Sequence, residues 1–231
     1  MRYLFRLLCV CALGVTPVAG CGVGEPTQCQ NDVCPCNEGG IRDAIAKGGG
    51  SYTFNCDGPT TVVTGAEIMI DNDVILRGEG NLTVDGNESH QVFSVSEGVT
   101  VELRGFGVTN GSRRAGRGAG LSNEGTLTLA DSRVSENDGG GIFNAATLTV
   151  INSTVSGNSA VDVGGIDNNG GTLTVMNSTV SGNSAVNGAG GVMNWQGTLT
   201  IIDSVVSENH TEGIGGGIFN LLGTLTLTNR L

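Results

Sequence analysis

Gly140-Gly141-Ile142-Phe143-Asn144, Gly164-Gly165-Ile166-Asp167-Asn168, Gly190-Gly191-Val192-Met193-Asn194 and Gly216-Gly217-Ile218-Phe219-Asn220 are copies of one pattern. Each is a pair of glycines, an aliphatic, a variable residue and an asparagine. A looser copy, Gly118-Ala119-Gly120-Leu121-Ser122-Asn123, precedes them, and successive asparagines are 21, 24, 26 and 26 residues apart. A short recurring period marks a stacked-repeat architecture, because one such unit is too small to bury its own apolar face.

Each copy runs into a strand pattern. Thr126–Leu129, Thr147–Val150, Thr172–Val175, Thr198–Ile201 and Thr224–Leu227 alternate Thr with an aliphatic residue. That period of two describes a half-buried strand, aliphatics inward and threonines outward. A second short strand ends in Val-Ser-x-Asn at Asn137, Asn158, Asn183 and Asn209. Gly, Asn, Asp and Ser between the strands supply tight turns and left-handed backbone. Stacked coils would pair in parallel about 4.8 Å apart, with aliphatic ladders inside and asparagines hydrogen-bonded along a column. The expected fold is therefore all-β, a right-handed parallel β-helix of about seven coils. A leucine-rich repeat is excluded because the Leu-x-x-Leu-x-Leu spacing and a helical half are missing.

The β-helix domain is expected over 37–231, with clear repeats over 98–231. Val74-Ile75-Leu76 and Leu82-Thr83-Val84 read as earlier, degenerate coils. Ahead of them, residues 37–50 read as a capping helix: Ile41, Ala44 and Ile45 have helical spacing, and Gly48 to Gly50 end it. Such a cover shields strand edges that would otherwise pair with other chains.

Residues 1–20 have a basic start at Arg2 and Arg6, then an apolar run and small residues, which is a secretory signal peptide. It closes on Val18-Ala19-Gly20-Cys21, which resembles the bacterial lipobox. The resemblance implies lipidation of Cys21 and a bacterial outer-membrane lipoprotein, the alternative being a secreted or periplasmic protein. Residues 21–36 read as a Cys-rich tether. Of the seven cysteines, Cys9 and Cys11 leave with the signal peptide, so Cys29, Cys34, Cys36 and Cys56 form an even set. In an oxidising compartment they are disulfide candidates, with three pairings open. Their spacing suits zinc poorly.

The net charge of −11 falls to −13 once Arg2 and Arg6 are removed. An acidic chain of this kind argues against nucleic acid as a partner. Arg113, Arg114 and Arg117 stand out in a segment, 111–120, that reads as a projecting loop.

The helix followed by degenerate and then regular coils is similar to the pectin-lyase-like β-helix superfamily. The Gly-Gly-x-aliphatic and Gly-Thr-Leu-Thr motifs over 98–231 resemble, more specifically, the repeats of chlamydial polymorphic outer-membrane proteins. That second resemblance implies repeat-forming residues only. No catalytic, cofactor-binding or metal-binding residue is assigned. Asp71 and Asp73 read as sharing a strand face at a solvated edge, and His90 and His210 as surface-loop residues. Phe143 and Phe219 read as packing or turn residues, and the Thr-x-Thr positions as ordinary outward strand residues. The function expected is a non-catalytic envelope scaffold, adhesin-like, for a polysaccharide or protein ligand. The alternative is a carbohydrate-active β-helix enzyme or an inactive relative. The final repeat is cut short after Leu227, so an open strand edge and edge-to-edge self-association at the last coil are also expected.

Overall fold

A computed structural model describes residues 28–113 and 118–229. The expected signal peptide, Cys21, Arg114 and Arg117 lie outside the described residues. The chain forms an all-β parallel β-solenoid of about seven turns, with one short helix near the start of the described residues.

Alternation builds the core. Leu127, Leu148, Leu173 and Leu199 stand opposite one another in register, and each is 1 % exposed or less. The threonines on either side of them point outward. One face is a seven-stranded parallel sheet running from Ile68–Ile70 to Ile218–Leu221. The other two faces share a fourteen-stranded sheet, because Val74–Asp85 and Thr100–Thr109 run on around the corner between them. From Thr126 onward that corner becomes a turn. Asp131, Asn152, Asn177 and Asp203 hold it at φ of 50°, 48°, 49° and 46°, a left-handed conformation that short polar side chains tolerate. A three-stranded sheet of Ser159–Ala160, Ser184–Ala185 and His210–Thr211 fills out the remaining corner of the later coils.

Two expectations are corrected at the early coils. Val74-Ile75-Leu76 and Leu82-Thr83-Val84 are halves of one strand in a single coil, with a register shift between Arg77 and Leu82. The first coil is instead Ser51–Asn55, Thr60–Val63 and Ile68–Ile70, which carries no copy of the Gly-Gly-x-x-Asn motif.

The interior is not purely apolar. Each asparagine amide donates to the carbonyl oxygen of its counterpart one coil on: Asn123 to Asn144, then Asn168, Asn194 and Asn220, at 2.7, 2.7, 2.6 and 2.6 Å. A second ladder joins Asn137, Asn158, Asn183 and Asn209 at 2.8, 2.9 and 2.9 Å. A third uses serine: the backbone N–H groups of Ser132, Ser153 and Ser178 donate to the hydroxyls of Ser153, Ser178 and Ser204, each at 3.0 Å. Each of those hydroxyls donates in turn to the carbonyl two residues back.

The paired glycines have a different job from the turn-making the sequence suggests. A Cβ on Gly165 would sit 2.2 Å from the Gly191 carbonyl, and one on Gly191 would sit 2.3 Å from that of Gly217. Close approach of neighbouring coils excludes any side chain there.

The helix Glu38–Lys47 closes the first coil. Asn37 caps it by accepting from the Gly40 N–H at 2.9 Å, and Gly48 ends it at φ 55°. Ile41, Ala44 and Ile45 are buried against the coil. Its polar side is tied down as well. Glu38 accepts from the Gly65 N–H at 3.0 Å, and Arg42 donates to the Ala66 carbonyl at 2.9 Å. Asp43 accepts from the Cys29 N–H and Lys47 donates to the Cys29 carbonyl, both at 2.7 Å.

The tether expected over 21–36 is corrected by its final residues. Val33–Pro35 forms a strand parallel to Ser51–Asn55, so this stretch belongs to the cap. Of the three cysteine pairings, Cys29–Cys34 and Cys36–Cys56 form.

Two predictions follow from these contacts. Burial pushes the Glu38 carboxyl up, but the Gly65 N–H and Arg42 together outweigh it and hold the pKa below its ordinary value. Lys47 and then the Cys29 N–H do the same for Asp43 against a smaller burial effect. Both depressed groups contribute stability that is present above their unfolded values of about 4 and lost as pH falls through the folded ones. Urea melts on lowering the pH into that acid range should lose less stability in the Glu38→Gln/Asp43→Asn variant than in the wild type. Asn168→Ala removes the acceptor of Asn144 and the donor to Asn194 where all three residues are fully buried. It should cost about 3 kcal/mol in the same assay, whereas an unchanged midpoint would show the ladder to be unimportant.

Candidate functional site

Outward side chains offer two regular surfaces and, beside one of them, a polar recess. The first surface is the Thr-x-Thr face. Thr126, Thr147, Thr172, Thr198 and Thr224 are exposed in one column, and Thr128, Thr149, Thr174, Thr200 and Thr226 form the next. The third outward column is Ala130, Ile151, Met176, Ile202 and Thr228, so no charge interrupts the face over these five strands. One coil earlier the same columns hold Glu102 and Arg104, which pair at 2.8 Å, and Arg104 also reaches Asp131 at 2.8 Å.

The second surface is the outer side of the seven-stranded sheet. Its central column reads Met69, Ser94, Ser122, Phe143, Asp167, Met193 and Phe219. Phe143 and Phe219 thus point away from the core and are half-buried, each with its Cβ close to a glycine, Gly118 or Gly215. Asp167 is 2 % exposed although it lies on this outer column. Trp195, on the next outward column, is 37 % exposed.

A recess of about 220 Å³ opens between this sheet and Arg113. Glu67 and Glu124 contribute carboxylates to its lining, and Gln91, Ser94, Ser122 and Arg113 contribute polar groups. Arg113 donates to the side-chain Oε1 of Gln91, and the Gln91 side-chain amide donates to the Phe93 backbone carbonyl at 2.7 Å. The Ser94 hydroxyl is shielded from water and makes no hydrogen bond. Such a lining can hold hydroxyl- or amide-bearing ligands through donors and acceptors of both kinds.

Asp71 and Asp73 do not share a strand face. They flank Asn72 between Ile68–Ile70 and Val74–Asp85, where Asp73 accepts from the Thr100 N–H at 2.7 Å and Asp71 from the Asn72 amide at 3.2 Å. His90 is a strut between coils: Nδ1 lies 2.8 Å from the Gln91 carbonyl and Nε2 lies 3.0 Å from that of Thr64. His210 is exposed in a short strand, opposite Ser184. Among the described residues no three His, Cys, Asp or Glu side chains are grouped to hold a metal ion.

Sequence reasoning missed Gln91, Ser94 and the burial of Asp167. The one signal available was that Asp167 interrupts a column otherwise occupied by Phe and Met in the Gly-Gly-x-x-Asn copies.

The repeats, ladders and cap together define an all-β parallel β-solenoid. No protein family, curated protein or solved structure matches the chain.

Gln91→Ala should lower stability by about 1 to 2 kcal/mol, because it removes a buried hydrogen bond to the Phe93 carbonyl and the Arg113 acceptor. Thermal unfolding checks this, and a neutral result would mean that water replaces the side chain.

Proposed function

We propose that the protein is a non-catalytic lipoprotein of the bacterial cell envelope, anchored through Cys21, whose solenoid displays an adhesin-like binding surface to a polysaccharide or protein. The observation that carries this reading is how the repeat spends its recurring residues. Its asparagines and serines are engaged in internal ladders, its aliphatics in the core, and its second glycines in coil contact. What varies from coil to coil lies on the outer faces, where a ligand can reach it. The lipobox-like Val18-Ala19-Gly20-Cys21 supports the anchor.

The recess at Glu67, Gln91, Arg113 and Glu124 favours a second reading, a polysaccharide-acting enzyme or an inactive relative. Two glutamates and an arginine are among its lining residues, and groups of these kinds can orient a sugar or move a proton.

The readings separate by experiment. Labelled palmitate should enter the wild-type protein and be absent from Cys21→Ala. On uronide polymers, purified protein should retain polymer on beads and release no unsaturated uronide. Release of product would replace the scaffold by the enzyme, and label entering Cys21→Ala equally would remove the anchor.

A further inference from the structure

We infer that the two disulfides are unequal, and that Cys36–Cys56 is a reducible latch on the N-terminal end of the solenoid while Cys29–Cys34 is a sealed staple. The bridges differ first in access. Cys29 and Cys34 are 6 % and 1 % exposed. The helix presses on the strand that carries Cys34, so closely that a Cβ on Gly40 would lie 2.2 Å from the Pro35 carbonyl. Lys47 and Asp43 clasp both backbone polar groups of Cys29. Cys36 and Cys56 are only partly buried, and both line an open cavity of about 670 Å³ at the top of the first coil; Cys34 borders the same cavity but is itself 1 % exposed, and Cys29 does not reach it. A thiolate must approach a disulfide sulfur before it can attack, so access selects the bridge that reacts.

The bridges differ also in what they hold. Val33–Pro35 pairs in register with Ser51–Asn55, and Cys36–Cys56 joins the next residue of each strand. The bridge is thus a covalent rung at the end of a ladder three residues long. So short a strand is marginal alone. Cys29–Cys34 closes only a local loop before and within that strand, and does not cross to the first coil. Opening Cys36–Cys56 therefore leaves the three-residue pairing with Ser51–Asn55 without its covalent rung, so that this edge opens more readily while the strand stays tethered to the helix through Cys29–Cys34. The helix stays in place, since Ile41, Ala44 and Ile45 and the Glu38 and Arg42 contacts do not depend on the bridge.

The reductant is a dithiol. One of its thiolates attacks either Sγ of the bridge, breaking the S–S bond and forming a mixed disulfide. The released cysteine thiolate takes a proton from water. The second thiol of the reductant, as thiolate, then displaces the other cysteine, which is protonated in turn, and the reductant leaves as its own disulfide. The protein gains two electrons and two protons, and the dithiol loses them.

The test is graded reduction of the folded protein with dithiothreitol, trapping with iodoacetamide, and peptide mapping alongside backbone hydrogen exchange. Label should enter Cys36 and Cys56 before Cys29 and Cys34. The Thr53 amide, which donates to the Asp32 carbonyl at 2.8 Å, should then lose protection while coils beyond Thr126 keep theirs. Cys36→Ser/Cys56→Ser should show the same loss without reductant. Labelling of Cys29 and Cys34 first, or of all four cysteines together, would overturn the inference. So would an opened Cys36–Cys56 bridge that leaves Thr53 protected.

Discussion

The structure depends on a constraint set by the carboxamide. A buried asparagine has both a donor and an acceptor to satisfy, and in a dry interior each one left unmade is costly. An identical amide one coil away meets both needs at once, so a column of asparagines is self-complementary. Two such columns run through this solenoid, and a serine column accompanies them. Their partners are fixed residues rather than a general apolar environment, so the ladders enforce register in a way that leucine packing does not.

That requirement explains how coils of unequal length coexist. The asparagine steps of 21, 24 and 26 residues all end in contacts of 2.6 to 2.7 Å. The extra residues are absorbed at the corner before the seven-stranded sheet. There the shortest of these coils has only an isolated bridge at Asp138, and longer ones form Ser159–Ala160, Ser184–Ala185 and His210–Thr211. Variation is thus confined to one outer edge, while the ladder positions stay aligned.

The N-terminal end is held by other means. The first coil has no asparagine column to lock it, and the helix, two disulfides and the pairs Glu38–Arg42 and Asp43–Lys47 take over. The middle of the rod is held mainly by uncharged amides and hydroxyls. The cap relies on carboxylates and on an accessible disulfide, so acid and reductant act there first.

Much of this was legible in the chain. The Gly-Gly-x-x-Asn copies, the Thr-Leu-Thr alternation, the helix with Asn37 at its head and the even cysteine set all report local geometry, and each reappears in place. What was not legible is non-local. That Gly165 is needed for the approach of Gly191, and that Gln91, Ser94 and Arg113 line one recess, depend on which coil lies against which. The sequence by itself determined a stack of parallel coils, because a period of two inside a period of about 25 residues admits few other ways of burying its aliphatics. Only the tertiary structure decided the cysteine pairing, the division of long early strands into later corners, and the burial of Asp167. Each of these is set by contacts between residues a full coil apart, and alternation along one strand carries no information about them.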